Sequence, residues 1–166
     1  MSARTHSLWS RRVILPALML CLLAAWPLGG TEPVSMGDMV GFRGILVPPV
    51  EKTDVTKLVD AGTIEADGFT YIVLNLAGEV KETPTRQGGS VGALLVPDVS
   101  PFDKVLTQLN VVAVPLEIRA PMTAETLPYF WAKQARFDVG FPRYRVLLYN
   151  TTGVSATVAV FAYRSR

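Results

Sequence analysis

From residue 39 onward the chain is a succession of short apolar runs, each broken by Gly, Pro, Asn or Asp after a few residues. This spacing predicts strands over residues 39–47, 62–66, 69–76, 91–96, 111–118, 143–150 and 154–163, all rich in Val, Ile, Leu, Phe and Tyr. Asp67-Gly68, Ala77-Gly78, Gly88-Gly89, Pro97-Asp98 and Asn110 supply turn chemistry between them. Strands at that spacing, with no long helix between them, point to an all-β, antiparallel β-sandwich, immunoglobulin-like or jelly-roll-like. Residues 79–90 (EVKETPTRQGGS) are the most polar stretch and read as a mobile surface loop.

The end of the chain allows a register to be written. Tyr144, Val146 and Leu148 share one face of a strand, and Val154, Ala156, Val158, Val160 and Ala162 share one face of the next. A hairpin that pairs Asn150 with Val154 sets Leu148 opposite Ala156, Val146 opposite Val158 and Tyr144 opposite Val160. It leaves Thr151-Thr152-Gly153 as the loop, with Gly where a left-handed conformation is needed. A slip of one residue would turn one apolar face outward.

Residues 123–137 (TAETLPYFWAKQARF) fit two readings. As a helix, Pro128 lies in the first turn and Leu127, Phe130, Trp131, Gln134 and Phe137 fall along one side. As a strand, Tyr129, Trp131, Lys133, Ala135 and Phe137 alternate against their neighbours. The balance tips toward one short helix near 126–136 crossing an end of the sandwich.

Residues 1–30 read as an export leader. Arg4, Arg11 and Arg12 form a positive start with no acidic residue, and residues 13–28 are apolar and uncharged. That apolar run is shorter than the roughly 20 residues of a membrane span, and Pro16 and Pro27 weaken it as a permanent helix. A signal peptide is therefore expected, with an uncleaved anchor as the alternative, followed by a single domain over 31–166. Arg11-Arg12 resembles a twin-arginine signal. Cys21 is a poor lipidation site, because Leu20 precedes it where a small residue is wanted. The expected location is periplasmic or secreted, or inner-membrane anchored with an exported domain.

Much chemistry leaves with the leader. Cys21 and His6 are the chain's only Cys and His, so the mature domain would lack the usual nucleophiles, proton shuttles and soft metal ligands. The 16 Lys and Arg residues lose three with the leader, so 13 remain against 14 Asp and Glu, a net charge near −1. Such a balance gives no basic field for a nucleic acid. Contact with a membrane is expected only through an uncleaved leader.

Glu65 and Asp67 share a strand face and could serve as a hydrolase's carboxylate pair, although an exposed strand end running into a turn explains them more simply. Asp54 and Asp60 do not frame a calcium loop. Ser90, Ser100 and Ser155 have no histidine to activate them, and a Ser-Lys arrangement with Lys104 or Lys133 stays open although no S-x-x-K spacing occurs. No cofactor, no metal and no catalytic activity are expected.

Binding surfaces are more plausible. Arg143, Arg145 and Tyr149, with Phe161 and Tyr163 on the neighbouring strand, would form a basic and aromatic outer face of the hairpin, an interface for another envelope or extracellular protein or for self-association. Tyr129, Trp131 and Arg136 would form a ligand platform for a carbohydrate or other small molecule, unless the rings are core. Asn150-Thr151-Thr152 is a glycosylation sequon placed at an expected exposed turn.

Overall fold

Where β-branched and aromatic residues alternate with small or polar ones, the chain runs extended and pairs antiparallel. The computed structural model describes residues 34–36, 38–98 and 116–166. The expected leader, most of the strand at 111–118, and Ser100, Lys104 and Asn110 lie outside the described residues. The strands are β1 (Val34–Met36), β2 (Met39–Val47), β3 (Val59–Glu65), β4 (Tyr71–Val80), β5 (Val91–Pro97), β6 (Leu116–Ala120), β7 (Met122–Ala124), β8 (Tyr129–Asp138), β9 (Arg143–Asn150) and β10 (Ala156–Ser165), with one 3-10 turn at Val55–Lys57. They form two sheets, β1-β2-β10-β4-β8-β7 and β3-β9-β5-β6.

All pairings are antiparallel, and four of them nest. β2 pairs with β10, β3 with β9, β4 with β8 and β5 with β6, so the chain resembles one long hairpin rolled over on itself. The pairings of β10 with β4 and of β9 with β5 join these into two sheets, and β1 and β7 add to the outer edges beside β2 and β8.

The core lies between the sheets. Leu74, Leu76, Val158 and Val160 face Ile64, Val146, Leu148 and Leu95, all of them buried. Each fully buried aliphatic side chain contributes about 1.5–3 kcal/mol relative to exposure. β5 is buried along its whole length, as suits a central strand. After β2 the chain folds across the outside of the smaller sheet. Val50 bridges to Asn150 on β9, and Lys52 reaches Glu117 on β6 at 3.1 Å.

Three expectations need correction. First, the hairpin does not form: β9 lies in the four-stranded sheet and β10 in the six-stranded one. The inward faces are as expected, because Tyr144, Val146, Leu148, Ala156, Val158, Val160 and Ala162 are all buried. An inward apolar face is satisfied equally well by a strand that pairs alongside and by one that packs across the core, and here β9 and β10 pack across it. Residues 151–155 form an arch, with Gly153 at φ +85, a conformation that side chains other than glycine resist.

Second, residues 129–138 are a strand and not a helix. Their partner decides this. β4 offers a ladder from Tyr71–Asp138 to Val80–Tyr129, which pairs the backbone of β8 over its whole length. Third, Ala77-Gly78 is no turn but lies inside β4. Gly78 is accommodated there beside Val91, whose Cγ2 would lie 2.9 Å from an added Cβ.

Asn150 holds the arch together. Its Nδ2 donates to Val47 O on the opposite sheet at 2.9 Å and to Val154 O at 2.7 Å. Its Oδ1 accepts from the Thr152 amide at 3.0 Å and from Thr152 Oγ1 at 2.7 Å. Asn150 and Thr152 are both fully buried, so the sequon is a structural element and its acceptor nitrogen is not accessible to a glycosyl donor in the folded chain.

Candidate functional site

The residues expected on one hairpin face are split between two sheets. Arg143 and Arg145 project from the outer side of β9, where Arg143 pairs with Asp98 at 2.7 Å and Arg145 with Asp60 at 2.6 Å. Tyr149, on the same side, is only 2 % exposed. Its ring lies flat over Gly92, where any Cβ would collide with it, and its hydroxyl donates to Glu117 Oε1 at 2.6 Å. Burial, reinforced by the Glu117 carboxylate, pushes the Tyr149 hydroxyl above the ordinary tyrosine range. Burial opposes ionisation of Glu117, but the hydrogen bond from Tyr149 and the pair with Lys52 outweigh it and hold the carboxyl below its usual value.

Phe161 and Tyr163 lie on the outer side of β10 in the other sheet, away from that cluster. There they belong to a broad face. In register across β10, β4 and β8 run the rows Ala159-Ala77-Ala132, Phe161-Asn75-Gln134 and Tyr163-Val73-Arg136. Leu46, Thr157, Glu79 and Phe130 form a further row. Leu46 is 66 % exposed, Tyr163 49 % and Phe130 38 %. Arg43 lies over the Phe161 ring at 4.8 Å and Arg136 over Tyr71 at 3.8 Å, so both guanidinium groups rest against this face.

The expected ligand platform is divided as well. Tyr129 and Trp131 point inward from β8 and Arg136 points outward, as the two-residue period requires. Trp131 is only 1 % exposed and its indole N–H donates to Gly89 O at 3.0 Å. It anchors a loop and offers no open ring face for stacking.

That loop is the segment expected to be mobile, and it is tied down. The amides of Thr85 and Arg86 donate to Thr152 O at 3.1 and 3.2 Å, and the Ser90 amide donates to Thr151 Oγ1 at 2.9 Å. A hollow opens on each side of it. The larger, about 740 Å³, lies between the loop and the edges of β6 and β8, with Tyr129, Trp131, Met122, Arg86, Arg119 and Lys133 on its walls. The smaller, about 390 Å³, lies toward Tyr149 and is lined by Glu51, Lys52, Glu117 and Thr151 among others. Arg119 belongs to both. The sequence reading missed Arg86, Arg119 and Lys133. Only proximity in the fold distinguishes them from solvated charges.

Glu65 and Asp67 are exposed at the end of β3 and line neither hollow. Asp54 pairs with Lys57 at 2.6 Å. Among the described residues no group of three or more His, Cys, Asp or Glu side chains is placed to hold a metal ion, and no helix is long and apolar enough to cross a membrane.

No family model matches the chain, and no curated protein matches it. Among solved structures, a chain of "Structure of Triatoma Virus (TrV)" is similar at 14% identity over 99% of this chain and 77% of that one, with a TM-score of 0.28. A likeness at that level carries no argument about role.

Proposed function

We propose that this chain is an exported, non-catalytic structural protein that works by contact, and that its partner is a second copy of itself packed against the outer face of the six-stranded sheet. The face described above carries the reading. Its centre is the alanine row Ala159-Ala77-Ala132, low enough to let another sheet approach to the roughly 10 Å of sheet-on-sheet packing. Its flanks carry exposed Leu46, Phe130 and Tyr163. Arg43 and Arg136 lie on it together with Glu79 and Asp138. A surface with both charge signs around a flat apolar centre can be complementary to itself across a two-fold axis, the commonest symmetry of soluble oligomers.

We further infer that the sandwich is a jelly roll and not of the immunoglobulin type. The nested pairing of β2 with β10, β3 with β9, β4 with β8 and β5 with β6 supports this, since a jelly roll arises from such a rolled hairpin. The fold by itself assigns no role. Export rests on the leader pattern of residues 1–30 and is checked by N-terminal sequencing of the chain recovered outside the cytoplasm.

Self-association is tested by sedimentation velocity over a concentration series. Ala132 and Tyr163 point to solvent, so Ala132→Glu with Tyr163→Ser should leave the melting temperature unchanged and weaken a dimer at least tenfold. A wild-type chain that stays monomeric at about 100 μM, where even a modest isologous interface would associate, overturns the proposal.

A further inference from the structure

We propose that the larger hollow beside the 84–90 loop is a binding site for a small organic carboxylate with an apolar body. The proposal does not depend on the self-association face, which lies on the outside of the six-stranded sheet.

Charge is the first observation. Arg86, Arg119 and Lys133 line the hollow and, among the described residues, no Asp or Glu does. In a chain whose expected mature part carries a net charge near zero, three convergent cations in one concave space are a local excess.

Their partners are the second. Arg86 is paired with Glu51, which lines the smaller hollow. Arg119 makes no ion pair with a described carboxylate. Its Nε donates to Ser90 Oγ at 2.9 Å and its Nη2 to Gly88 O at 3.4 Å, which fixes the guanidinium, while the Glu117 carboxylate acts on it only through space and without a direct ion pair. Lys133 has no counter-ion among the described residues. A held guanidinium and an unpaired ammonium facing one space form a preorganised receptor for an anion, since little side-chain freedom remains to be lost on binding.

The walls are the third. Met122, Pro121, Pro84 and Tyr129 give the hollow an apolar lining, and its volume of about 740 Å³ falls within the usual range for small-molecule sites. Bare inorganic anions would leave that lining unused. A carboxylate on a ring or short chain uses both parts, the carboxylate meeting Arg119 and Lys133 and the body lying against Met122 and Tyr129. The carboxylate could come from an acidic sugar or from an aromatic acid.

The Trp131 indole N–H, hydrogen-bonded to Gly89 O at the wall of the hollow, is a built-in reporter. Its proton–nitrogen correlation is assigned with Trp131→Phe. The full-length chain is then titrated with glucuronate, phenylacetate, glucose, phenylacetamide and inorganic phosphate. A saturable shift of the Trp131 signal by glucuronate or phenylacetate, absent with the neutral counterpart, is expected, and which acid binds identifies the source. Lys133→Met, at an exposed side chain with no ion pair among the described residues, should weaken that binding at least tenfold, the loss expected for one charge-assisted contact. Arg119→Gln should abolish it. No shift with either acid, equal shifts by the neutral compounds, equal binding of phosphate, or unchanged affinity in Lys133→Met would each overturn the proposal.

Discussion

Replacing Asn150 with alanine should cost about 4 kcal/mol of folding free energy. The side chain makes four hydrogen bonds from a fully buried position, and no buried side-chain nitrogen or oxygen among the described residues is left without a partner. Truncation takes these bonds from the Thr152 amide and the Val47 carbonyl, whereas Val154 O, 3.0 Å from Thr152 Oγ1, gains the single hydroxyl proton that Asn150 Oδ1 no longer accepts. At about 1–3 kcal/mol for each orphaned polar group, the two come to about 3 kcal/mol, and the vacated volume adds about 1 kcal/mol. For a chain of this size that corresponds to a fall of about 8–16 °C in melting temperature. Urea unfolding followed by tryptophan fluorescence measures it. Asn150→Asp separates hydrogen bonding from volume. An aspartate keeps the shape and can accept from Thr152, but it turns a carboxylate toward two carbonyl oxygens. The folded protein would favour its acid form, so the variant should be least unstable below about pH 4 and should lose stability as pH rises. An Asn150→Ala cost below about 1 kcal/mol, or an Asn150→Asp profile parallel to that of the parent, would refute the reasoning.

Two further predictions concern the outer side of the smaller sheet. Gly92→Ala should destabilise by about 1–3 kcal/mol by displacing the Tyr149 ring; in a Tyr149→Ala background the same change should cost nothing measurable by urea titration, because the collision is gone. The depressed Glu117 carboxyl contributes stability that is in place above its ordinary value of 4.5 and is lost as pH falls through the lower folded-state value. Both Glu117 and Lys52 are partly in water, so the amount is about 1 kcal/mol at most, and Glu117→Gln should flatten the acid limb of the urea midpoint against pH.

The sequence was most legible where one face of a strand decides everything. The limits of β2 and β9 coincide with those read from the apolar runs, and the inward residues of β9 and β10 are the ones expected. Their partnership was not legible, because alternation says which side of a strand is buried and not whether its neighbour lies beside it or across the core. β8 was ambiguous for a related reason. Leu127, Phe130, Trp131 and Phe137 satisfy a helical period as well as a strand's, and only the remote β4 ladder, from Val80–Tyr129 to Tyr71–Asp138, chooses between them. The 84–90 loop looked solvated because its anchors, Thr152 and Trp131, are remote in sequence. Arg119 and Lys133 gained meaning only when β6 and β8 brought them to one hollow.

The nested pairing also dictates an order of events during synthesis. β2 is among the earliest strands made, yet its central partner β10 is among the last, and the Asp38 carbonyl that meets Arg164 waits for a residue 126 positions away. At about 5–20 residues per second on the ribosome, the apolar strand Met39–Val47 spends many seconds with one edge open. Contacts of such separation also make closure intrinsically slow. The nascent chain is therefore most exposed to faulty edge-to-edge pairing just before β10 emerges, and a truncation that removes β10 should yield not a smaller sandwich but an aggregating chain.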